Sequence, residues 1–275
     1  MGDNPDMNDP DLLDISTDRT LAYHRTEAVG EKNAAPGVVF LGGFTSDMTG
    51  TKATWLEGWA RARGRAFLRF DYRGHGASSG AFEDGTIGDW ADDAAEAVTR
   101  LTEGPQILVG SSMGGWIALL LARRMPERVA GLVGIAAAPD FTEDLVRPSF
   151  TDAERARLEA EGQVVVRSDY EPETYPVTKR LLDEARDHLV LRAPLALPFP
   201  VRLLHGTADA DVPQSVALRL LDHVECPDIR LELVKGADHR FSGPRELDIL
   251  GRTLDEITDT LAAGQGGQNG IASPA

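Results

Sequence analysis

The stretch Gly110-Ser111-Ser112-Met113-Gly114 carries the spacing G-x-S-x-G, which holds a nucleophilic serine between a strand and a helix. Apolar Ile107 to Val109 predict a buried strand before it, and the apolar spacing from Trp116 to Met125 predicts a helix after it. A serine on so sharp a turn is strained, and flanking residues without side chains let strand and helix approach closely. The helix N-terminus then aims backbone N–H groups at negative charge forming beside Ser112. The plainer alternative is a tight turn whose serine only caps the helix. Whether the rest of the chain supplies partners decides between them.

A serine hydroxyl is a weak nucleophile at neutral pH and needs a base. Six histidines are available. His24 precedes the main sheet, His188 and His223 lie in helical patterns, His75 sits in a Gly-rich turn, and His205 directly follows a strand. His239 lies in a loop between the last strand and the last helix, where an imidazole can overhang the elbow, and is the expected base. The base in turn needs a carboxylate to hold its tautomer, in the chain order Ser, Asp, His. Asp209 and Asp211 share the loop after the strand ending at Leu204. Asp209 is preferred, because Asp209-x-x-Val212-Pro213 leaves Val-Pro to start the next helix and Asp211 as a solvent-facing cap. Asp238 reads as a brace for its own loop, and Asp140 is the remaining alternative. The tetrahedral intermediate needs preorganised donors. The N–H of Met113 is one, and the Gly42-Gly43-Phe44 loop offers the N–H of Phe44 as the second.

These residues need a scaffold. Buried-strand signals at Gly37 to Leu41, Ala66 to Phe70, Ile107 to Val109, Val129 to Ala137, Val201 to Leu204 and Ile229 to Val234 alternate with helical spacing. That alternation predicts an α/β fold with a mostly parallel central sheet and helices on both faces. Functional groups then collect at the carboxyl ends of strands. Residues 141–198 break the pattern, being more charged, punctuated by proline, and helical near Thr151–Glu161 and Thr174–Leu191. The expected organisation is a disordered acidic arm over 1–17, a core from 18–140 and 199–263, a helical lid (cap) insertion over 141–198, and a disordered tail over 264–275.

Composition narrows the function. The chain has 275 residues, enough for one large domain, and a net charge of −16, which disfavours a phosphate backbone as partner. Its single cysteine, Cys226, excludes an intrachain disulfide and a cysteine-cluster metal site. No apolar run approaches 18 residues, so no membrane span is expected. The first twenty residues are acidic and resemble neither a signal peptide nor a transit peptide, so a cytoplasmic location is expected. No metal or organic cofactor is required by this chemistry.

Nearly the whole span from Thr20 to Ala262 resembles the α/β-hydrolase superfamily. Gly50-Thr51-Lys52-Ala53, Arg69 to Gly76, Gly104 to Trp116, Arg202 to Gly206 and Asp238-His239-Arg240 are similar to a mitochondrial acyl-protein thioesterase and acyl-glucuronide esterase branch of it. The resemblance implies Ser112 as nucleophile, Asp209 as acid and His239 as base. It also implies a serine esterase or thioesterase acting on a small-molecule ester or thioester, with an acylated protein among the candidates. The organelle does not carry over, because no presequence is recognisable, and 141–198 carries no comparably specific motif. Competing readings are a lysophospholipase or monoacylglycerol lipase, a carbon–carbon bond hydrolase, and a non-catalytic binding scaffold.

Overall fold

A computed structural model of the protein describes residues 9–30, 35–167 and 174–268. The first half of the chain runs β1 (Asp11–Ser16), β2 (Arg19–Thr26), β3 (Gly37–Leu41), α1 (Thr51–Ala62), β4 (Phe67–Phe70), α2 (Ile87–Leu101), β5 (Gln106–Ser111), α3 (Met113–Arg124) and β6 (Val129–Ile135). The inserted segment holds α4 (Arg147–Ser149), α5 (Asp152–Glu161), β7 (Gln163–Arg167), β8 (Thr174–Thr178), α6 (Lys179–Glu184) and β9 (Leu195–Ala196). The sheet then resumes with β10 (Val201–Gly206), α7 (Gln214–His223), β11 (Val224–Glu225), β12 (Ile229–Val234) and α8 (Pro244–Gln268).

Eight strands form one sheet in the order β1-β2-β4-β3-β5-β6-β10-β12. The six from β4 to β12 are parallel, and β1 and β2 add an antiparallel edge. A strand buried on both faces sends alternate side chains into two cores. In β5, Leu108 joins Trp90, Trp116 and Leu203 in the core under α2 and α3, while Ile107 and Val109 face the second core with Leu56, Leu250 and Leu254 from α1 and α8. Both cores grip β5, and this fixes the strand end from which Ser112 projects.

Local chemistry sets the helix starts. Thr86 accepts the Asp89 N–H at 3.2 Å at the head of α2. Thr151 and Glu154 close a reciprocal capping box on α5, which ends at left-handed Gly162. The segment between β6 and β10 has a small core of its own, built from Phe150, Leu158, Val164, Val177 and Leu182. Leu181, Val190 and Leu191 join it to the larger core of the body.

Three boundaries differ from the sequence reading. Asp11–Ser16 is a strand paired with β2 where a disordered arm is expected; of its apolar side chains, Leu13 is the buried one, too little for a periodic signal. Residues 1–8 lie outside the described part. Thr174–Thr178 is a strand, because it pairs antiparallel with Gln163–Arg167, a partner that no local pattern reveals. Helix α8 runs on to Gln268, into the expected tail, whose residues 269–275 are outside the described part.

Candidate active site

Ser112 sits between the end of β5 and the first residue of α3 with φ 54° and ψ −119°, a left-handed conformation costly for any residue with a side chain. Glycine on both sides is a steric necessity. A Cβ on Gly110 would stand 2.3 Å from the Gly114 carbonyl oxygen, and one on Gly114 would stand 2.0 Å from that of Leu41. Strand, helix and the neighbouring β3 therefore close around the serine without any side chain intervening.

His239, in the loop after β12, brings Nε2 to 3.1 Å from Ser112 Oγ. Its Nδ1 lies 2.9 Å from Asp209 Oδ2, and the carboxylate acts there as acceptor for Nδ1–H. Asp209, in the loop after β10, has a fully buried side chain, and its other oxygen accepts the N–H groups of Asp211 at 3.0 Å and Val212 at 2.8 Å. Burial pushes the Asp209 carboxyl upward, but the His239 hydrogen bond and charge and the Val212 amide outweigh it and hold it below the ordinary carboxylate value. The Asp209 carboxylate is therefore ionised at neutral pH, aligned on His239 and buried.

The alternatives occupy other roles. Asp211 is partly exposed, with its Oδ2 4.0 Å from His239 Nε2. Asp238 accepts the Phe241 N–H at 3.1 Å and braces its loop. Asp140 is fully buried and accepts the N–H groups of Val190 and Leu191 at 2.8 and 3.0 Å, anchoring the end of the inserted segment. His205 is buried beside Asp209; its Nε2 lies 2.9 Å from the Val212 carbonyl and 3.6 Å from Asp209 Oδ2. His24, His188 and His223 lie apart from Ser112, with His188 paired to Glu184 and His223 to the carbonyls of Val190 and Ala193. His75 stands closer to the chemistry than its Gly-rich turn suggests, with Nε2 2.6 Å from the Phe44 carbonyl oxygen.

Gly43 lies against the elbow, since a Cβ on it would stand 3.6 Å from Ser112 Cβ. Its carbonyl accepts the Ser46 N–H at 3.2 Å. In a trans peptide the N–H of Phe44 points opposite to that carbonyl, which leaves it available as a donor. Asp71 ties this loop to the next, accepting Met48 N–H at 2.7 Å and Ala77 N–H at 2.9 Å. A cavity of about 700 Å³ opens beside the elbow, lined by Gly43, Ser46, Lys52, His75, Tyr175 and Arg240 among others. Lys52 donates to the Arg240 carbonyl, and burial brings its ammonium down to about 8.

A strained serine, an imidazole and a buried carboxylate at the carboxyl ends of three parallel strands define the class. The chain belongs to the alpha/beta hydrolase family, which matches it over residues 38–248. It is an enzyme, a serine hydrolase of esters or thioesters. A mouse relative, "Palmitoyl-protein thioesterase ABHD10, mitochondrial", is 38% identical over 88% of this chain and 80% of its own length. Its human counterpart is 35% identical over 93% of this chain and 80% of its own. Among solved structures, a putative hydrolase from Agrobacterium vitis S4 superposes with a TM-score of 0.85 at 39% identity, covering 90% of this chain and 97% of that one. The mouse alpha/beta hydrolase domain-containing protein 10 gives 0.84 at 35% identity, covering 92% and 100%.

These relatives correct one expectation. The mouse, bovine and human proteins are named as mitochondrial, which overturns the cytoplasmic expectation. Among the described residues, no helix is long and apolar enough to cross a membrane.

Proposed function

We propose that the protein is an acyl-protein thioesterase and esterase in which Ser112 is the nucleophile, His239 the general base and Asp209 the acid. The observation that carries this is the unbroken chain from Ser112 Oγ to His239 Nε2 at 3.1 Å and from His239 Nδ1 to Asp209 at 2.9 Å. As Oγ attacks the acyl carbonyl, its proton passes to His239 Nε2, and Asp209 stabilises the imidazolium. The N–H groups of Phe44 and Met113 hold the oxyanion. Collapse of the intermediate breaks the bond to sulfur or oxygen, and His239 gives its proton to the leaving thiol or alcohol. Water, deprotonated by the same histidine, then cleaves the acyl-enzyme and restores Ser112.

The segment 141–198 serves as a lid over the acyl group. Phe141 and Tyr175 from it pack edge-on to the ring of Phe44, with centroids 5.7 and 5.5 Å away, which supports that reading. Within the segment, Arg147 pairs with Asp183 at 2.6 Å, and Arg180 reaches Asp89 of the body at 3.4 Å. An S-acylated protein is the preferred substrate class, by similarity to relatives named palmitoyl-protein thioesterase.

The test is kcat/KM across p-nitrophenyl esters from acetate to palmitate with matched S-acyl thioesters, using Ser112→Ala as blank. A rise toward long chains, with thioesters at least equal to oxygen esters, supports the thioesterase reading. A peak at short oxygen esters, with thioesters poor, rejects it in favour of a small-ester hydrolase.

A further inference from the structure

We propose that His75 is a positioning residue for the oxyanion hole, acting through the backbone of Phe44. The inference rests on the reading of the Phe44 N–H as one of the two oxyanion donors. His75 is buried, at 4% exposure, in the loop after β4, far in sequence from the Ser112–His239–Asp209 chain. Its Nε2 stands 2.6 Å from the Phe44 carbonyl oxygen. A carbonyl only accepts, so this contact needs the proton on Nε2. The other nitrogen, Nδ1, lies 3.1 Å from the Arg73 carbonyl, which already accepts the Trp90 indole N–H at 3.1 Å. With two lone pairs, the Arg73 carbonyl oxygen takes the Trp90 N–H and faces Nδ1 as well, so the ring is held between two carbonyl oxygens with its Nε2–H directed at Phe44.

The consequence is a clamp on one residue from three directions. The peptide preceding Phe44 is oriented by the Gly43 carbonyl accepting from Ser46. The peptide following it is held by His75. The Phe44 ring is boxed edge-on by Phe82, Trp90, Phe141 and Tyr175, with centroids 5.0 to 5.7 Å away. His75 itself stacks edge-on against Tyr72, Phe82 and Trp90, which fixes its rotamer. With both flanking peptides and the side chain held, the N–H of Phe44 keeps one direction. Preorganised donors stabilise developing charge because they need not reorganise at the moment of reaction. His75 makes no hydrogen bond to Ser112, so its contribution runs through the Phe44 backbone and appears in the transition state.

His75→Phe keeps the aromatic packing and removes the donor. We expect kcat to fall by about 10- to 100-fold with KM changed less than about twofold. Affinity for an alkyl trifluoromethyl ketone, whose adduct with Ser112 carries the oxyanion, should fall by the same factor. His75→Gln, whose amide nitrogen reaches the Nε2 position, should recover most of both, and the shorter His75→Asn should not. Unchanged kcat and ketone affinity in His75→Phe would overturn the proposal. If His75→Phe does not fold, equal activity of the Gln and Asn variants would overturn it instead. A separate variant replaces the Phe44 amide by an ester, incorporating phenyllactic acid at position 44, and so deletes the N–H itself. Wild-type kcat there would remove the oxyanion reading on which His75 depends. Low kcat there with normal His75→Phe would leave that reading standing and dismiss His75 alone.

Discussion

Gly114 lies so close to Leu41 that a single methyl group on it would meet the Leu41 carbonyl oxygen at 2.0 Å. The obstacle is backbone of a central strand, so no rotamer change relieves it. Gly114→Ala should cost more than about 3 kcal/mol and shift the serine out of line. Gly43→Ala should fold with nearly normal stability, since the nearest atom there is the rotatable Ser46 hydroxyl at 3.2 Å. Urea unfolding of the two variants side by side checks the contrast, and equal losses would refute it.

The two carboxylates of the β10 loop separate by kinetics. Asp209→Asn should lower kcat by about 10⁴-fold, because the amide favours the wrong imidazole tautomer. Asp211→Asn should change kcat by less than about fivefold, since a partly exposed charge 4.0 Å away contributes little. Reversal of that order would reassign the acid.

Asp140 is expected to matter for stability alone. Its two oxygens accept separately from the backbone N–H groups of Val190 and Leu191, and an amide nitrogen placed at either would confront one of them. Its φ of 58° suits asparagine as well as aspartate, so Asp140→Asn changes chemistry without adding backbone strain. A loss of about 2–4 kcal/mol in denaturant unfolding is expected, with kcat of the folded enzyme retained. A collapse of kcat without loss of stability would contradict this.

The clasp between His188 and Glu184 gives a pH dependence of defined sign. The hydrogen bond to Glu184, at 2.6 Å, raises the imidazole above its ordinary 6.5 despite burial. Burial pushes Glu184 up, but His188 and the Gly88 amide hold its carboxyl below the ordinary value. Folding thus takes up a proton at His188, so its contribution is complete below pH 6.5 and fades as pH rises through the raised folded value. The Glu184 contribution fades in the opposite direction, as pH falls through its depressed value. Between about pH 6 and 9 the Tm of wild type should therefore drop more than that of His188→Gln. Parallel Tm profiles would mean the clasp contributes nothing.

What the sequence reveals follows from range. The elbow is legible because strand, turn and helix adjoin, and its glycines answer to clashes within a few residues and with β3. His239 and Asp209 are legible through chain order and their positions after strands. Strand β8 is hidden, because its partner β7 is what makes Thr174–Thr178 extended. The contact of His75 with Phe44 spans 31 residues and joins two loops, so neither stretch alone announces it.

The sheet order has a temporal meaning for a chain made from its N-terminus. Ser112 follows β5, whereas His239 and Asp209 follow β12 and β10, the last two strands to be added on that side. A nascent chain that has not yet released β12 can carry the serine on its elbow with nothing to take its proton. The three groups meet only where β5, β10 and β12 lie in one sheet, so the arrangement belongs to the whole sheet and to no single segment of the chain.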